Sequence, residues 1–166
     1  LHSVLVNANR NPEDYLALGE ATWGAGRVRV FADRVQDFSG PLAGFQAGLD
    51  LCTSPLLLTV PCDSPLFPLE LAHKLHEALL QQNADIAIAA AKEEDGTVRP
   101  QPVFCLMHVS LLESLVKFMQ AGGRKIDAWT AQHTCAVVPF DTPDIDPRAF
   151  FNANTLEELH RLEKTP

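Results

Sequence analysis

The stretch TVPCDSPLF, residues 59–67, follows three leucines at positions 56–58 and places a single aspartate, Asp63, between an apolar segment and two prolines. The apolar segment predicts a buried strand, and an unpaired charge buried in its continuation would cost several kcal/mol. Asp63 is therefore expected to lie at the exposed end of this strand. Two interpretations are open at this point. Asp-Ser-Pro is well suited to a turn, and a carboxylate at the carboxyl edge of a parallel sheet is well placed to bind a metal ion.

Apolar segments that predict strands alternate along the chain with segments that predict helices. The predicted strands are residues 4–6, 27–31, 56–60, 85–91, 103–107 and 135–138. The predicted helices are residues 12–18, 42–51, 110–119 and 125–132, together with segments that begin at Pro68 and at Thr155. Strands separated by helices predict βαβ units and a mainly parallel sheet covered by helices. With a small antiparallel excursion at the turn around Asp95 and Gly96, this pattern predicts a single α/β domain over residues 1–166.

The composition limits the classes of partner. The chain has 166 residues and a formal net charge of −8, with 21 acidic and 13 basic side chains. Nucleic acid is not expected as a partner because no broad basic surface would neutralise its phosphates. No apolar run approaches the roughly 18 residues that span a bilayer, so no membrane is expected either. The opening residues do not resemble a signal peptide, and we expect a cytoplasmic protein.

The cysteines and histidines do not predict a metal centre. His73 and His76 have i, i+3 spacing on a predicted helix, but no third ligand accompanies them, so an exposed helix surface is favoured over a zinc site. The four cysteines form no CxxC pair, and each lies in or beside an apolar segment. Reduced, buried thiols are therefore expected at Cys52, Cys62, Cys105 and Cys135.

Polar loops follow three of the predicted strands, and a fourth precedes the last predicted helix. They contain, in order, Asn7, Asp33 with the sequence GPLAG, Asp63, and the sequence FFNANT. Each loop has an ordinary explanation by itself as a turn, a helix start or, at Asn154-Thr155, an N-cap completed by Glu157 or Glu158. Because the carboxyl ends of parallel strands meet at one edge of a sheet, the combination predicts a common binding crevice.

Four segments in this order resemble molybdenum cofactor guanylyltransferases: NANRN (7–11), FADRVQDFSGPLAG (31–44), LLLTVPCDSPLFP (56–68) and FFNANTLEEL (150–159). The chain resembles that family from Val4 to about Glu163. The resemblance implies a Rossmann-like, three-layer nucleotidyltransferase fold with a mainly parallel sheet. GPLAG and Cys-Asp-Ser-Pro are shared with sugar-nucleotide enzymes, whereas the C-terminal segment is the more specific one.

The resemblance also implies a reaction, in which GMP is transferred from GTP to the terminal phosphate of molybdenum-bearing molybdopterin and pyrophosphate is released. Mg²⁺ is the implied cofactor, and other proteins of molybdenum cofactor synthesis are candidate partners. Asp63 is implied as the catalytic, metal-binding residue. The implied nucleotide-binding residues are Asn7, Asp33, Gly40, Pro41, Leu42, Ala43, Gly44 and Asp63. The implied molybdopterin-binding residues are Arg124, Lys125, Asn152 and Asn154.

The chain departs from the family at its start. The family pattern includes a first strand and a glycine-rich loop whose Arg and Lys hold the triphosphate, and no such residues precede Leu1. The resemblance therefore implies a further N-terminal βα segment of roughly 30 residues, without which we expect weak catalysis. A related transferase that uses CTP or a sugar phosphate, and a catalytically silent nucleotide-binding module, stay open as alternatives. The GPLAG sequence favours GTP over CTP.

Overall fold

The computed structural model describes residues 2–32, 40–93 and 95–164. They form two compact units, one made of residues 1–57 and 107–132 and the other of residues 58–106 and 133–166. The single domain over residues 1–166 remains a prediction.

Every predicted strand and helix has a counterpart in the described residues. The strands are β1 (Val4–Asn7), β2 (Val28–Phe31), β3 (Leu56–Thr59), β4 (Ile86–Lys92), β5 (Val98–His108) and β6 (Cys135–Phe140). The helices are α1 (Pro12–Trp23), α2 (Pro41–Leu51), α3 (Leu71–Gln81), α4 (Leu112–Gln120), α5 (Ile126–Thr130) and α6 (Leu156–Lys164). A 3-10 turn, Val109–Leu111, leads into α4. The bounds differ most at β5 and α1. β5 begins five residues earlier than predicted because it continues directly from the turn at Asp95 and Gly96, and α1 ends five residues later than predicted.

The first unit begins with a βαβ arrangement. β1 and β2 pair in parallel, with Val4 opposite Val28 and Asn7 opposite Phe31. α1 contacts β2 through Gly19, its one buried residue. A Cβ atom at Gly19 would lie 2.7 Å from Val28 Cγ1, so the missing side chain is what permits this close approach.

Three further helices complete the core of the first unit. α2 packs against α4 and buries five apolar side chains, those of Leu42, Ala43, Phe45, Ala47 and Leu49. α4 contributes Leu115, which is fully buried. Trp129 of α5 is also fully buried and donates its Nε1–H to Ser114 Oγ at 3.3 Å. The Trp129 side chain therefore anchors α5 to α4.

A four-stranded sheet has strand order β3-β5-β4-β6, and its strands β4 and β6 lie wholly in the second unit. β4 and β6 are parallel, with Ile86 opposite Cys135 and Ala91 opposite Phe140. The sheet is mixed, which confirms the predicted antiparallel excursion. β4 is buried along six consecutive residues, and α3 covers β4 and β6 with the buried side chains of Leu71, Leu75 and Leu79.

The predictions for cysteines were only partly right. None of the four cysteines forms a disulfide; Cys105 is buried, Cys52 and Cys135 are half-buried, and Cys62 is exposed. The prediction of a buried thiol is wrong for Cys62 because the chain turns outward after β3. Burial raises the pKa of the Cys105 thiol to about 12. His73 and His76 are exposed on α3, as predicted.

The helices are short. Within the described ranges, none combines the length and apolar character needed to cross a bilayer.

Candidate functional site

The carboxyl end of β1 meets the start of α2 at Asn7. Its side-chain Nδ2–H donates to the backbone oxygen of Phe31 at 3.5 Å, across the β1–β2 pair. Its Oδ1 lies 3.3 Å from the place that a Cβ atom on Gly44 would occupy. The Asn7 amide is therefore held between the end of β2 and the first turn of α2, and the absence of a side chain at residue 44 leaves room for it.

The GPLAG sequence forms the start of α2. Gly40 precedes the helix with φ 144° and ψ 172°, a conformation that side chains disfavour. Pro41 is the first helical residue, where its missing N–H costs no hydrogen bond. Leu42 and Ala43 are 3% and 4% exposed, so their side chains belong to the core. In this turn the first N–H groups, which have no partner within the helix, and the exposed ring of Pro41 are available to a ligand. Asp33 lies outside the described residues.

The loop after β3 carries Asp63. The strand is anchored to its neighbour at its last residue, since the Thr59 hydroxyl donates to the backbone oxygen of Val103 at 2.7 Å. Asp63 is half-buried. Its backbone oxygen accepts a hydrogen bond from Ala153 N–H at 2.7 Å, whereas its carboxylate has no hydrogen bond or ion pair with the described residues. An unengaged carboxylate at a strand end fits the metal-binding interpretation.

The next residue, Ser64, links this loop to the C-terminal loop. Ser64 is 1% exposed, and its hydroxyl donates to Asn152 Oδ1 at 2.7 Å. Two hydrogen bonds therefore join Asp63 and Ser64 to Asn152 and Ala153. The structure thus brings a residue implied in metal binding next to one implied in molybdopterin binding. Sequence reasoning treated Ser64 only as part of a turn.

The N-cap of α6 is Thr155 rather than Asn154. Thr155 Oγ1 accepts from Glu158 N–H at 3.2 Å. The Glu158 carboxylate accepts from the backbone N–H groups of Thr155 and Asn154, at 3.1 and 2.8 Å. This reciprocal pair is a capping box. Glu157 is not its partner and pairs instead with Arg161. The predicted cap at Asn154-Thr155 is therefore confirmed for Thr155 with Glu158, whereas the exposed side chain of Asn154 is not needed to start α6.

Arg124 and Lys125 lie in the first unit, between α4 and α5, and both are exposed. The turn that precedes them is packed tightly, because a Cβ atom on Gly123 would overlap the ring of Phe118. Lys125 precedes α5, and its backbone oxygen accepts from Trp129 N–H at 3.3 Å. Their positions are therefore fixed by the anchored helix that follows them.

The described carboxylates, thiols and imidazoles suit a metal ion that is held jointly by the protein and its substrate. The described part of the chain contains no group of three or more His, Cys, Asp or Glu side chains that could hold a metal ion. A closed protein cage is therefore not formed by these residues. Mg²⁺ at phosphate-transfer sites typically takes one or two carboxylates together with water and substrate phosphates. The single, unengaged carboxylate of Asp63 fits that mode.

A cavity of about 400 Å³ opens where β4 and β6 end in the second unit. Its lining combines aromatic rings with charged groups, including Lys92, Phe140, Asp141, Asp146 and Phe150. Phe140 and Phe150 meet edge to face, with ring centroids 5.6 Å apart. Hydrogen bonds from the Arg148 side chain and backbone lower the pKa of Asp146. No signal in the sequence predicted this cavity, because it depends on the pairing of strands far apart in the chain.

Comparison with known sequences places these features in a family. A sequence model described as the MobA-like NTP transferase domain matches residues 1–137. A molybdenum cofactor guanylyltransferase of Acidovorax sp. (strain JS42) is 59% identical over 165 residues, which cover 96% of this chain and 74% of that protein. A protein of the same name from Albidiferax ferrireducens is 56% identical over 167 residues, which cover 98% of this chain and 75% of the relative.

A solved structure shows the same fold. The molybdopterin-guanine dinucleotide biosynthesis protein A of Archaeoglobus fulgidus matches with a TM-score of 0.66 and 21% identity. The match covers 96% of this chain and 76% of that one. The predicted α/β nucleotidyltransferase fold is thereby confirmed.

Proposed function

The chain belongs to the family of MobA-like NTP transferase domains, and we propose that it is a guanylyltransferase that transfers GMP from GTP to the terminal phosphate of molybdenum-bearing molybdopterin. The observation that carries this proposal is the 59% identity, over 96% of the chain, to a protein named molybdenum cofactor guanylyltransferase. The products are the guanine dinucleotide form of the cofactor and pyrophosphate.

The chemistry demands alignment rather than a strong base. An oxygen of the acceptor phosphate forms a bond to the α-phosphorus of GTP, and the bond from that phosphorus to the oxygen bridging to the β-phosphate breaks. The leaving group is pyrophosphate. Because a phosphate monoester is already anionic, the protein needs mainly to align two anions and to neutralise their charge. The net charge of −8 means that local cations must supply this neutralisation.

Asp63 is the metal-binding and catalytic residue of this proposal. Nucleotidyltransferases typically use a divalent metal ion, and Mg²⁺ suits an oxygen donor set with substrate phosphates. When bound, Mg²⁺ supplies positive charge to the phosphates. The carboxylate of Asp63 supports the assignment, since it is half-buried and unengaged by the described residues.

The nucleotide is held in the first unit by Asn7 and the first turn of α2. The side chains of Leu42 and Ala43 are buried in the core, so they fix the backbone of Gly40, Pro41 and Gly44 in a defined geometry. N–H groups at a helix start bind electronegative atoms, and the Asn7 amide lies beside them. Asp33 completes this set as a nucleotide-binding residue.

Two pairs of residues are assigned to the acceptor, each considered within its own unit. Arg124 and Lys125 supply positive charge for the phosphate of molybdopterin. Asn152 and Asn154 supply amide donors and acceptors, which match the donors and acceptors of a pterin ring. These assignments are supported by exposure, since both basic residues and both asparagines are accessible to a ligand. The proposal also includes a cytoplasmic location, where GTP is available, and other proteins of molybdenum cofactor synthesis as partners.

The proposal is tested by the shift in melting temperature on adding nucleotide with Mg²⁺. GTP at about 100 times its Kd should add roughly 2.7 kcal/mol of stability, which raises Tm by about 5–10 °C for a chain of this size. CTP and ATP should shift Tm less, and chelation of Mg²⁺ should remove most of the GTP effect. A larger shift with CTP would contradict the choice of GTP. A GTP shift without transfer to molybdopterin would favour the silent binding module.

Replacement of Gly44 by alanine should separate stability from nucleotide binding. The new Cβ would lie 3.3 Å from Asn7 Oδ1, so the exposed Asn7 amide must move by a few tenths of an ångström. Alanine favours a helix over glycine by about 1 kcal/mol, so Tm should not fall. The Kd for GTP, measured by calorimetry, should rise about fivefold, as expected for one weakened hydrogen bond.

Gly48→Ala is the matched control for Gly44→Ala. It lies one turn further along α2, and its Cβ would meet Leu57 Cδ2 at 3.2 Å in the core. This variant should change Tm without changing the Kd for GTP. Normal GTP binding by Gly44→Ala would contradict the role of Asn7.

A further inference from the structure

Ser64 is one of two buried polar residues in the described part of the chain, the other being Thr130. Its hydroxyl donates to Asn152 Oδ1 at 2.7 Å, across 88 residues of sequence. Thr130, in contrast, donates to the backbone oxygen of Asp127 three residues away. A buried hydroxyl costs free energy unless it is hydrogen-bonded. The Ser64 hydroxyl meets that need with a side chain from a distant loop rather than with a neighbouring carbonyl.

The bond decides which end of the Asn152 amide faces the protein. An asparagine side chain carries an acceptor oxygen and an NH₂ group with two donors, and nothing in its shape favours one orientation. Ser64 engages the oxygen. The NH₂ group of Asn152, whose residue is exposed, is then left to donate to a ligand.

The same contact connects Asn152 to the Asp63 loop. The backbone N–H of Ala153 donates to the backbone oxygen of Asp63 at 2.7 Å. Two short hydrogen bonds therefore join two consecutive residues of one loop to two consecutive residues of the other. Two hydrogen bonds fix both the distance between the two loops and their rotation about each other. Asn152 is therefore held in a defined orientation relative to Asp63.

We infer that Ser64 is a positioning residue for acceptor binding: its buried hydroxyl orients Asn152 so that the amide NH₂ donates to an acceptor atom of the pterin ring. The inference rests on the proposed function. Serine suits the position because its short side chain carries a hydroxyl donor into a site where only 1% of the residue is exposed. Alanine would leave the Asn152 amide free to rotate, and cysteine would offer only a weak donor.

The test is the variant Ser64→Ala, with KM measured separately for molybdopterin and for GTP. Loss of one neutral hydrogen bond should raise KM for molybdopterin about fivefold, while KM for GTP stays within about twofold. A purely structural role predicts equal loss for both substrates. Ser64→Cys should give an intermediate KM for molybdopterin, and it replaces Ser64→Ala in the test if the alanine variant does not fold.

A double-mutant cycle with Asn152→Ala distinguishes positioning from an independent effect. If Ser64 acts through Asn152, then Ser64→Ala should add less than about 1.5-fold to KM for molybdopterin once Asn152 is alanine. An additive effect would overturn the inference. So would an unchanged KM for molybdopterin in the single variant Ser64→Ala.

Thr134→Ala is the matched control. The Thr134 hydroxyl donates to Asp85 Oδ2 at 2.6 Å in the same unit, where β4 and β6 begin. Its loss should lower Tm and leave both KM values unchanged. If the unaltered protein transferred no GMP to molybdopterin, the proposed function would fail. If it did so and Ser64→Ala behaved normally, only the role of Ser64 would fail.

Discussion

Asp63→Asn is expected to lower the rate of guanylyl transfer by about 10²–10³-fold, the usual effect of removing one stabilising group from a charged transition state. Asparagine keeps the shape of the side chain but removes the negative charge that holds Mg²⁺. Tm should stay within about 2 °C, because the Asp63 carboxylate has no hydrogen bond or ion pair with the described residues. The measurements are kcat at saturating GTP and molybdopterin, and Tm by calorimetry.

Two further measurements test whether the loss of rate in Asp63→Asn comes from weakened metal binding. Raising Mg²⁺ should recover part of the lost rate, since the weaker ligand set needs more metal. Glu77→Gln removes one negative charge from the exposed side of α3 in the same unit, and it should leave kcat unchanged. A near-normal rate for Asp63→Asn at ordinary Mg²⁺ would show that the assignment of Asp63 is wrong.

The second large effect is expected when Asn152 and Asn154 are both replaced by alanine. Loss of two hydrogen bonds of about 1 kcal/mol each should weaken molybdopterin binding roughly 30-fold and leave GTP binding unchanged. The two single variants should differ in stability. Asn152→Ala leaves the buried Ser64 hydroxyl without its partner, at a cost of about 1–3 kcal/mol. Asn154→Ala should cost almost nothing, because Thr155 caps α6.

Thr155→Ala is the control for the asparagine variants. It removes the cap of α6 and should cost about 1 kcal/mol of stability without a selective loss of molybdopterin binding. Kd values for both ligands and the free energy of unfolding decide the outcome. Equal weakening of GTP and molybdopterin binding in the double variant would indicate general destabilisation and contradict the acceptor role.

Local hydrophobic patterns predicted the elements well because they are set by near neighbours. Apolar residues at i, i+1, i+4, i+7 and i+8 from Leu71 to Leu79 predict the buried face of α3. Leu71, Leu75 and Leu79 are buried, whereas Ala72 and Ala78 are half-buried. The apolar run of residues 85–91 predicted β4, whose residues 86–91 are buried. The same reasoning placed the start of β5 five residues too late. The residues that open this strand, VRPQP (98–102), contain two prolines and no continuous apolar run, and they become strand because they continue the turn that follows β4.

The sequence by itself determined the order of the elements, the family resemblance and the position of Asp63 directly after the strand that became β3. Each of these depends on residues that are adjacent along the chain. Only the tertiary structure decided that Cys62 is exposed, that Thr155 rather than Asn154 caps α6, and that Ser64 holds Asn152. A turn sequence such as Asp-Ser-Pro, or a cap sequence such as Asn-Thr, satisfies local geometry in more than one way. The choice between them depends on which side chains the packing of distant elements brings within hydrogen-bonding distance.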